Sequence, residues 1–323
     1  MSFYVRWRTP VGAGLLANAV CQPTSSRPDT PSSRASPLPQ GIPAAYPDEL
    51  ADNGNPCRFP SSTCKASLYT ARQPINIREP GMNQSVEQLR IRLACAFRWA
   101  ARLNLHESIA NHFSVAVSGD GREFLINPYG VHFSRIKASD LLLLNADEPA
   151  RLDRPDAPDI TAWALHSALH RNQPHARCIL HTHSKYATAL ACLADSRLPP
   201  IEQNCMRFFE RVVIDEGFDG MGLGDEAERV SHLLGDKPIL LMGNHGVLVA
   251  APSIAQAFDD LYYFERACET YITALSTGRE LRIASDEIAR KTCRQWLDYP
   301  GFADKHFNAL MGILDEEEPG YRL

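Results

Sequence analysis

The sequence predicts an α/β fold for one domain over about residues 83–285, and three observations lead to this prediction. Short apolar runs typical of strands alternate with longer segments whose apolar residues recur at helical spacing. Clusters of Gly, Pro, Asn and Asp separate these segments. The 323 residues show no internal repeat. We expect additional helical material over residues 286–323.

The first half of the domain is predicted to contain a helix, a hairpin and a further strand. Ser85 and Gln88 form a capping-box pattern, and Leu89, Leu93 and Phe97 follow at helical spacing, which predicts a helix ending near residue 103. Strands are expected at residues 113–117 and 124–127, on either side of a turn sequence. Residues 141–144 predict a buried strand.

The second half alternates in the same way. Its predicted helices are 161–171, 184–193 and 253–277, the last with Ala257, Leu261, Phe264 and Cys268 on one face. Its predicted strands are 178–180, which we expect to be central, 238–242 and 247–250. A tight turn, Gly243-Asn244-His245-Gly246, joins the last two strands.

Composition excludes several classes of protein. The formal net charge is −5 and no dense basic run occurs, so nucleic acid is not an expected partner. No apolar run reaches 18 residues, so we expect no membrane span and no membrane partner. The nine cysteines are odd in number, scattered and free of CxxC pairs, which favours a reducing compartment, and we expect a cytoplasmic protein.

Residues 1–80 are rich in Pro, Ser, Arg and Gly and have few regularly spaced apolar residues. Such a composition buries too little surface to offset chain entropy, so we interpret it as a disordered or poorly ordered extension. The first 28 residues contain several arginines and no acidic residue, which is also weakly typical of a transit peptide. A mis-assigned start is a third interpretation.

Three histidines form the strongest candidate site. His181 and His183 follow an apolar strand, and side chains two apart on an extended chain point the same way. His245 also follows a strand, in a glycine-flanked turn that allows close approach. Three neutral imidazoles with one open position are typical of catalytic zinc, and also suit Fe(II). A lone HxH pair is a weak signal, so His245 is essential to the hypothesis.

His166 and His170 lie at i, i+4 on one predicted helix face, which is a spacing that can bind metal. We favour a different interpretation, in which both are buried hydrogen-bonding histidines that orient a ligand.

These motifs together resemble the class II aldolase/adducin family. The resemblance rests on His181-Thr182-His183, Gly243-Asn244-His245-Gly246, Asn111-His112-Phe113-Ser114 and Ile126-Asn127-Pro128-Tyr129-Gly130, in order, across about residues 86–275. It implies a three-layer α/β/α domain around a mostly antiparallel sheet, and a homotetramer. It also implies a divalent metal, most often zinc, on His181, His183 and His245, and a small-molecule substrate. The substrate-binding positions implied are Asn111, Ser114, Tyr129, Gly130 and Thr161.

The sequence departs from the family pattern where an acid is expected. The acidic residue that the family has nineteen positions before its first metal histidine is Ala162 here, and the phosphate-binding serines correspond to Ile160 and Thr161. His112 replaces an amide of the substrate loop. The resemblance is therefore closest to an uncharacterised aldolase-like branch. Our candidates for proton transfer are His112, His166 and Tyr263, ahead of Glu202, Tyr262 and Tyr271.

Three functional hypotheses follow. The first is a metal-dependent aldolase-like lyase acting on a small hydroxy-carbonyl or carboxylate compound. The second is a non-haem iron oxygenase that cleaves a carbon–carbon bond, as in a related branch of the family. The third is a non-catalytic interaction module like the adducin head domain, although the chain lacks adducin's long basic tail.

Overall fold

A computed structural model describes residues 84–148, 157–223 and 225–323. Its centre is a seven-stranded sheet with the order β3-β2-β1-β4-β7-β6-β5. Five neighbouring pairs are antiparallel, and only β5 and β6 run parallel. The strands are β1 (His112–Ala116), β2 (Glu123–Ile126), β3 (Leu142–Asn145), β4 (Cys178–Thr182), β5 (Val212–Asp215), β6 (Ile239–Met242) and β7 (Gly246–Ala251).

Helices cover both faces of the sheet, which confirms the three-layer α/β/α prediction. The helices are α1 (Val86–Arg102), α2 (Ile160–Asn172), α3 (Lys185–Ala191), α4 (Gln203–Arg207), α5 (Asp225–Leu234), α6 (Ile254–Leu275), α7 (Asp286–Leu297) and α8 (Phe302–Glu317). Helices α2 and α5 bury Leu165 and Val230 against Ile179 and Leu248 of the sheet. Helices α1, α3 and α6 cover the opposite face in a larger cluster.

The two clusters follow from the period-two alternation of strand side chains. In β4, Cys178 and Leu180 enter the larger cluster, whereas Ile179 enters the cluster under α2 and α5. Because both faces of β4 are covered, all five of its residues are buried. The prediction that this strand is central is confirmed.

Most predicted elements are present with small shifts at their ends. The capping box of Ser85 and Gln88 is formed, and Ser253 caps α6, whose predicted apolar face is fully buried. The predicted burial of the 141–144 strand is wrong: β3 lies at an edge of the sheet, and Leu143 is 51% exposed. An edge strand has a neighbour on one side only, and here Leu142 and Leu144 alone pack inward.

Three elements between residues 203 and 234 were not predicted, namely α4, β5 and α5. The C-terminal helices α7 and α8 pack against the domain: Phe307 of α8 meets Phe258 of α6, and the Trp99 indole donates a 2.9 Å hydrogen bond to the Leu310 carbonyl. No helix among the described residues has the length and apolarity to span a membrane. The predicted extension over residues 1–80 lies outside the described residues.

Candidate metal centre

The end of β4 brings His181 and His183 to the face of the sheet that carries α2. His181 pairs in register with His112 on β1 and with Leu248 on β7, so it is held from both sides. Since Ile179 faces α2, the period-two alternation directs His181 to that face too. His183 follows directly after the strand and is partly exposed.

The turn between β6 and β7 supplies His245. Asn244 adopts a left-handed conformation with φ +57°, which asparagine tolerates better than most residues, and the His245 amide donates to the Met242 carbonyl at 3.0 Å. Gly246 is required by space: a Cβ there would lie 2.6 Å from the Thr182 carbonyl oxygen. A bare backbone at this position allows the turn to approach the end of β4.

The three imidazoles converge on one point. One ligand nitrogen from each lies within 4.8 Å of the other two. The Nε2 atoms of His181 and His183 are 3.1 Å apart. Two nitrogens at zinc-bonding distance in near-tetrahedral geometry are separated by roughly 3.3 Å, so this spacing fits a shared metal ion.

Hydrogen bonds at the opposite ring nitrogens support the same conclusion. His181 Nδ1 donates to the Val247 carbonyl at 3.1 Å, and His183 Nδ1 donates to the Glu107 carboxylate at 2.8 Å. Each acceptor fixes the ring proton on Nδ1, so two Nε2 lone pairs face each other across 3.1 Å. Burial and the neighbouring imidazoles lower the pKa of His181 well below 6.5, which disfavours a bridging proton. The two Nε2 atoms are therefore suited to bind one divalent cation.

His245 is the third imidazole of the group, and it too is largely shielded from solvent. Its Nδ1 is buried and makes no hydrogen bond with any described residue. Burial lowers the pKa of His245, and the nearby His183 lowers it further by a smaller amount. Its imidazole is therefore neutral near pH 7 and able to donate a lone pair to a metal. Phe218 lies beside its ring, with the ring centroids 6.3 Å apart.

A buried glutamate from α6 fixes the chain directly after the metal-site histidines. Ser184 is the N-cap of α3, but its side chain makes no capping bond. Glu265 does so instead, accepting from Ser184 Oγ at 2.7 Å and from the amides of Tyr186 and Ala187 at 2.9 Å each. Because Ser184 is the neighbour of His183, this contact holds the backbone that carries a candidate metal ligand.

A chain of hydrogen bonds runs from this centre beneath α2. His112 Nδ1 lies 2.7 Å from His166 Nε2, His166 Nδ1 lies 2.5 Å from Ser114 Oγ, and Ser114 Oγ lies 2.8 Å from His170 Nε2. The ring centroids of His112 and His181 are 4.8 Å apart, so the chain begins beside a candidate metal ligand. Burial lowers the pKa of His112 and His166 well below 6.5 and that of His170 to about 3.

Several predicted substrate-binding residues have other contacts. Ser114 is fully buried and bonded to two imidazoles, so its assignment as a direct substrate contact is not supported. The Thr161 hydroxyl donates to Asp159, the residue that caps α2. Asn111 is buried and accepts from the Glu107 amide at 2.6 Å, which shapes the loop that carries Glu107. Tyr129 and Gly130 are exposed.

Four of the candidates for proton transfer make contacts away from the three histidines. Tyr263 packs against Trp296 and Phe302 and beneath the Arg207 guanidinium, so the structure does not bring it to the three histidines. Glu202 caps α4 by accepting from the amides of Asn204 and Cys205. Tyr262 makes an edge-to-face contact with His306, and Tyr271 packs against the larger cluster.

Sequence reasoning did not find Glu107, Glu265 or the Val247 carbonyl. Glu107 lies in an irregular loop between Asn104 and Ser108, which both have left-handed backbones, and no periodic pattern marks it. Glu265 is separated from its partners by about eighty residues. The one signal in the sequence was the position of Glu265, four residues after Leu261 on the helix face predicted to be apolar.

Comparison with known proteins agrees with this architecture. The family model described as Class II Aldolase and Adducin N-terminal domain matches residues 91–272. A Pseudomonas aeruginosa protein named only as a member of aldolase class 2 is 32% identical over 241 residues, which cover 73% of this chain and 92% of that protein. A solved aldolase II superfamily protein from Pseudomonas syringae is 32% identical, with a TM-score of 0.68, covering 75% of this chain and 98% of the other.

A third relative has a named reaction. A protein of Streptomyces roseochromogenus named 4-hydroxy-3-prenylphenylpyruvate oxygenase/4-hydroxy-3-prenylbenzoate synthase is 27% identical over 209 residues, covering 64% of this chain and 75% of that protein. The family model spans more than half of the chain, and two relatives exceed 30% identity over most of their own length. The chain therefore belongs to the class II aldolase and adducin family.

Proposed function

We propose that the protein is a metal-dependent, aldolase-like lyase that cleaves or forms a carbon–carbon bond in a small hydroxy-carbonyl or carboxylate compound. The observation that carries the proposal is the convergence of His181, His183 and His245, with the ring protons of His181 and His183 directed away from the shared point. A bound divalent ion, zinc first and Fe(II) second, would supply Lewis-acid polarisation of a substrate oxygen.

The ligand set favours an anionic substrate. Three neutral imidazoles contribute no charge, so a bound divalent ion keeps its full positive charge and attracts a carboxylate or enolate. The carboxylate of Glu107 interacts with the His183 Nδ1 proton, on the far side of that ring from its metal-facing nitrogen. It therefore orients the histidine from behind, and a bound ion held by the three imidazoles would keep a coordination position for substrate.

The beginning of α2 argues against a phosphorylated substrate at this site. In the family pattern, serines in this region bind phosphate. Here Asp159 caps the helix and accepts hydrogen bonds from the amides of Thr161 and Ala162. A carboxylate at these amides takes the hydrogen bonds that a phosphate would need, and it repels a second anion. The substrate we propose is therefore not a sugar phosphate.

Proton transfer is assigned to His112, with His166 behind it. Ala162 offers no acid and lies in a small apolar cluster with Phe124 and Ile126, whereas His166 is one turn further along the same face of α2. Three neutral imidazoles and the Ser114 hydroxyl can order their protons in two directions along the chain. In one direction His112 Nε2 accepts a proton, and in the other it donates one.

A second candidate, the iron-dependent oxygenase, has one specific observation in its favour. The Streptomyces roseochromogenus relative is an oxygenase by name and covers 64% of this chain. An adducin-like interaction module is the third candidate, and a bound metal ion with an open coordination position would count against it. The homotetramer and the cytoplasmic location remain predictions from the sequence.

Elemental analysis of anaerobically purified protein separates these candidates. We expect about one zinc per chain and oxygen-independent cleavage of a hydroxy-carbonyl or carboxylate compound. His181→Ala should lose the metal while keeping the wild-type circular dichroism, and His232→Ala, at an exposed histidine on α5, should keep the metal. Bound iron with oxygen uptake during turnover would favour the oxygenase, and absence of any stoichiometric divalent ion would overturn the proposal.

A further inference from the structure

A cavity of about 490 Å³ lies at the ends of strands β4, β6 and β7 that are opposite the histidines. It is bordered by His175 before β4, Pro238 before β6 and Pro252 after β7. Strands β4 and β6 both run from the cavity towards the candidate metal centre, and β7 runs back from the metal centre to the cavity. These strands have four to six residues, so at about 3.3 Å per residue the cavity and the metal centre are roughly 13–20 Å apart.

The lining of this cavity carries excess positive charge, although the whole chain has a formal net charge of −5. Its charged residues are the cationic Arg211, Lys237, Arg290 and Arg294 and the acidic Glu210 and Asp236. Arg290 is paired with Glu210 at 2.5 and 3.1 Å, and Lys237 Nζ lies 3.7 Å from Asp236. The Arg294 guanidinium makes no hydrogen bond or ion pair with any residue in the described part of the chain.

One wall of the cavity is helix α7, which presents Arg290, Cys293, Arg294 and Leu297. Phe209 lies across the cavity from α7, and the centroid of its ring is 5.5 Å from the Arg290 guanidinium. Leu297 is 56% exposed on the same wall. The cleft therefore offers apolar surface beside its cationic groups.

We propose that this cleft binds a small organic anion through its phosphate or carboxylate groups. Its volume lies within the range of small-molecule sites, about 300–1,000 Å³. The guanidinium of Arg294, unpaired among the described residues, matches the oxygens of such groups in bidentate geometry, and Lys237 adds a point charge. Because the cleft is distant from the histidines, its ligand is additional to the substrate, and this inference does not depend on the proposed function.

Calorimetric titration of the full chain with inorganic phosphate, glycerol 3-phosphate and citrate tests the proposal. We expect at least one of these anions to bind, with an affinity that falls as salt is raised. Arg294→Glu should weaken that binding at least tenfold. Arg282→Glu makes the same change of charge at an exposed arginine that does not line the cavity, and it should have less than a twofold effect.

Repetition of the titration in His181→Ala distinguishes the cleft from anion binding at a metal. Binding that survives His181→Ala and is lost in Arg294→Glu supports the proposal, and phosphate against citrate shows which anionic group is preferred. The proposal is overturned if none of the three anions binds at millimolar concentration. It is also overturned if the two arginine variants weaken binding equally, or if binding disappears with His181.

Discussion

Two hydrogen-bond acceptors decide which nitrogen each histidine offers. The Val247 carbonyl holds the Nδ1 proton of His181, and the Glu107 carboxylate holds that of His183. A carboxylate behind a ligating imidazole raises its basicity and fixes its orientation. Glu107 therefore influences a candidate metal ligand without facing the shared point itself.

Replacement of Glu107 tests this role at the residue scale. We expect Glu107→Ala to weaken zinc binding by about 10- to 100-fold, because His183 loses its orienting acceptor. Competition against a chromophoric chelator measures the affinity. Glu123→Ala, at another exposed glutamate, should leave it unchanged. Equal zinc affinity in wild type and Glu107→Ala would show that Glu107 does not support the site.

At the scale of elements, the β6–β7 turn and the end of β4 form one unit. Gly246 lies against the Thr182 carbonyl and the His183 ring, so the turn that carries His245 packs directly on the strand end that carries His183. The ligands therefore depend on one close backbone approach. A side chain at residue 246 would separate the two segments.

Gly246→Ala should disrupt this unit. Its Cβ would lie 2.6 Å from the Thr182 carbonyl oxygen and 2.9 Å from His183 Cδ2, so strand β7 must shift. We expect a loss of about 1–3 kcal/mol in the free energy of unfolding, and weaker zinc binding. Gly119→Ala is the matched control, since nothing lies within 4 Å of its Cβ. Chemical denaturation and zinc titration of both variants check the prediction, which fails if they behave alike.

For the whole molecule, the buried histidines couple stability to pH. Four neutral imidazoles, those of His112, His166, His170 and His181, lie between α2 and the sheet, and burial lowers the pKa of each. The unfolded chain therefore binds more protons than the folded chain once the pH falls below about 6.5. Stability is complete above that pH and is lost as the pH decreases.

His170 gives this coupling a defined range. Its pKa in the folded protein is about 3, so its contribution decreases from about pH 6.5 down to about pH 3. Over most of that range each such histidine removes about 1.4 kcal/mol per pH unit. Denaturation at several pH values should give a shallower slope for His170→Gln than for wild type, by about one proton. Identical slopes for the two proteins would contradict the prediction.

Much of this protein could be predicted from its sequence because local patterns determine it. Period-two and helical spacing identified most strands and helices, and Ser85 and Ser253 marked helix starts. The segments from 203 to 234 were missed because α4 has only five residues and β5 is a partly exposed edge strand. Strand-end histidines predicted the candidate metal ligands, since a strand fixes the direction of its side chains.

Only the tertiary structure decided how these ligands are supported. Glu107, the Val247 carbonyl and Glu265 act across separations of 66 to 81 residues, and no local pattern encodes such contacts. The same holds for Ser114, which the motif suggested as a substrate contact and which packing buries between His166 and His170. The sequence by itself determined the fold class and the three histidines, because both depend on local periodicity. Chain packing decided their tautomers, their neighbours and the second cleft, because these depend on which segments meet.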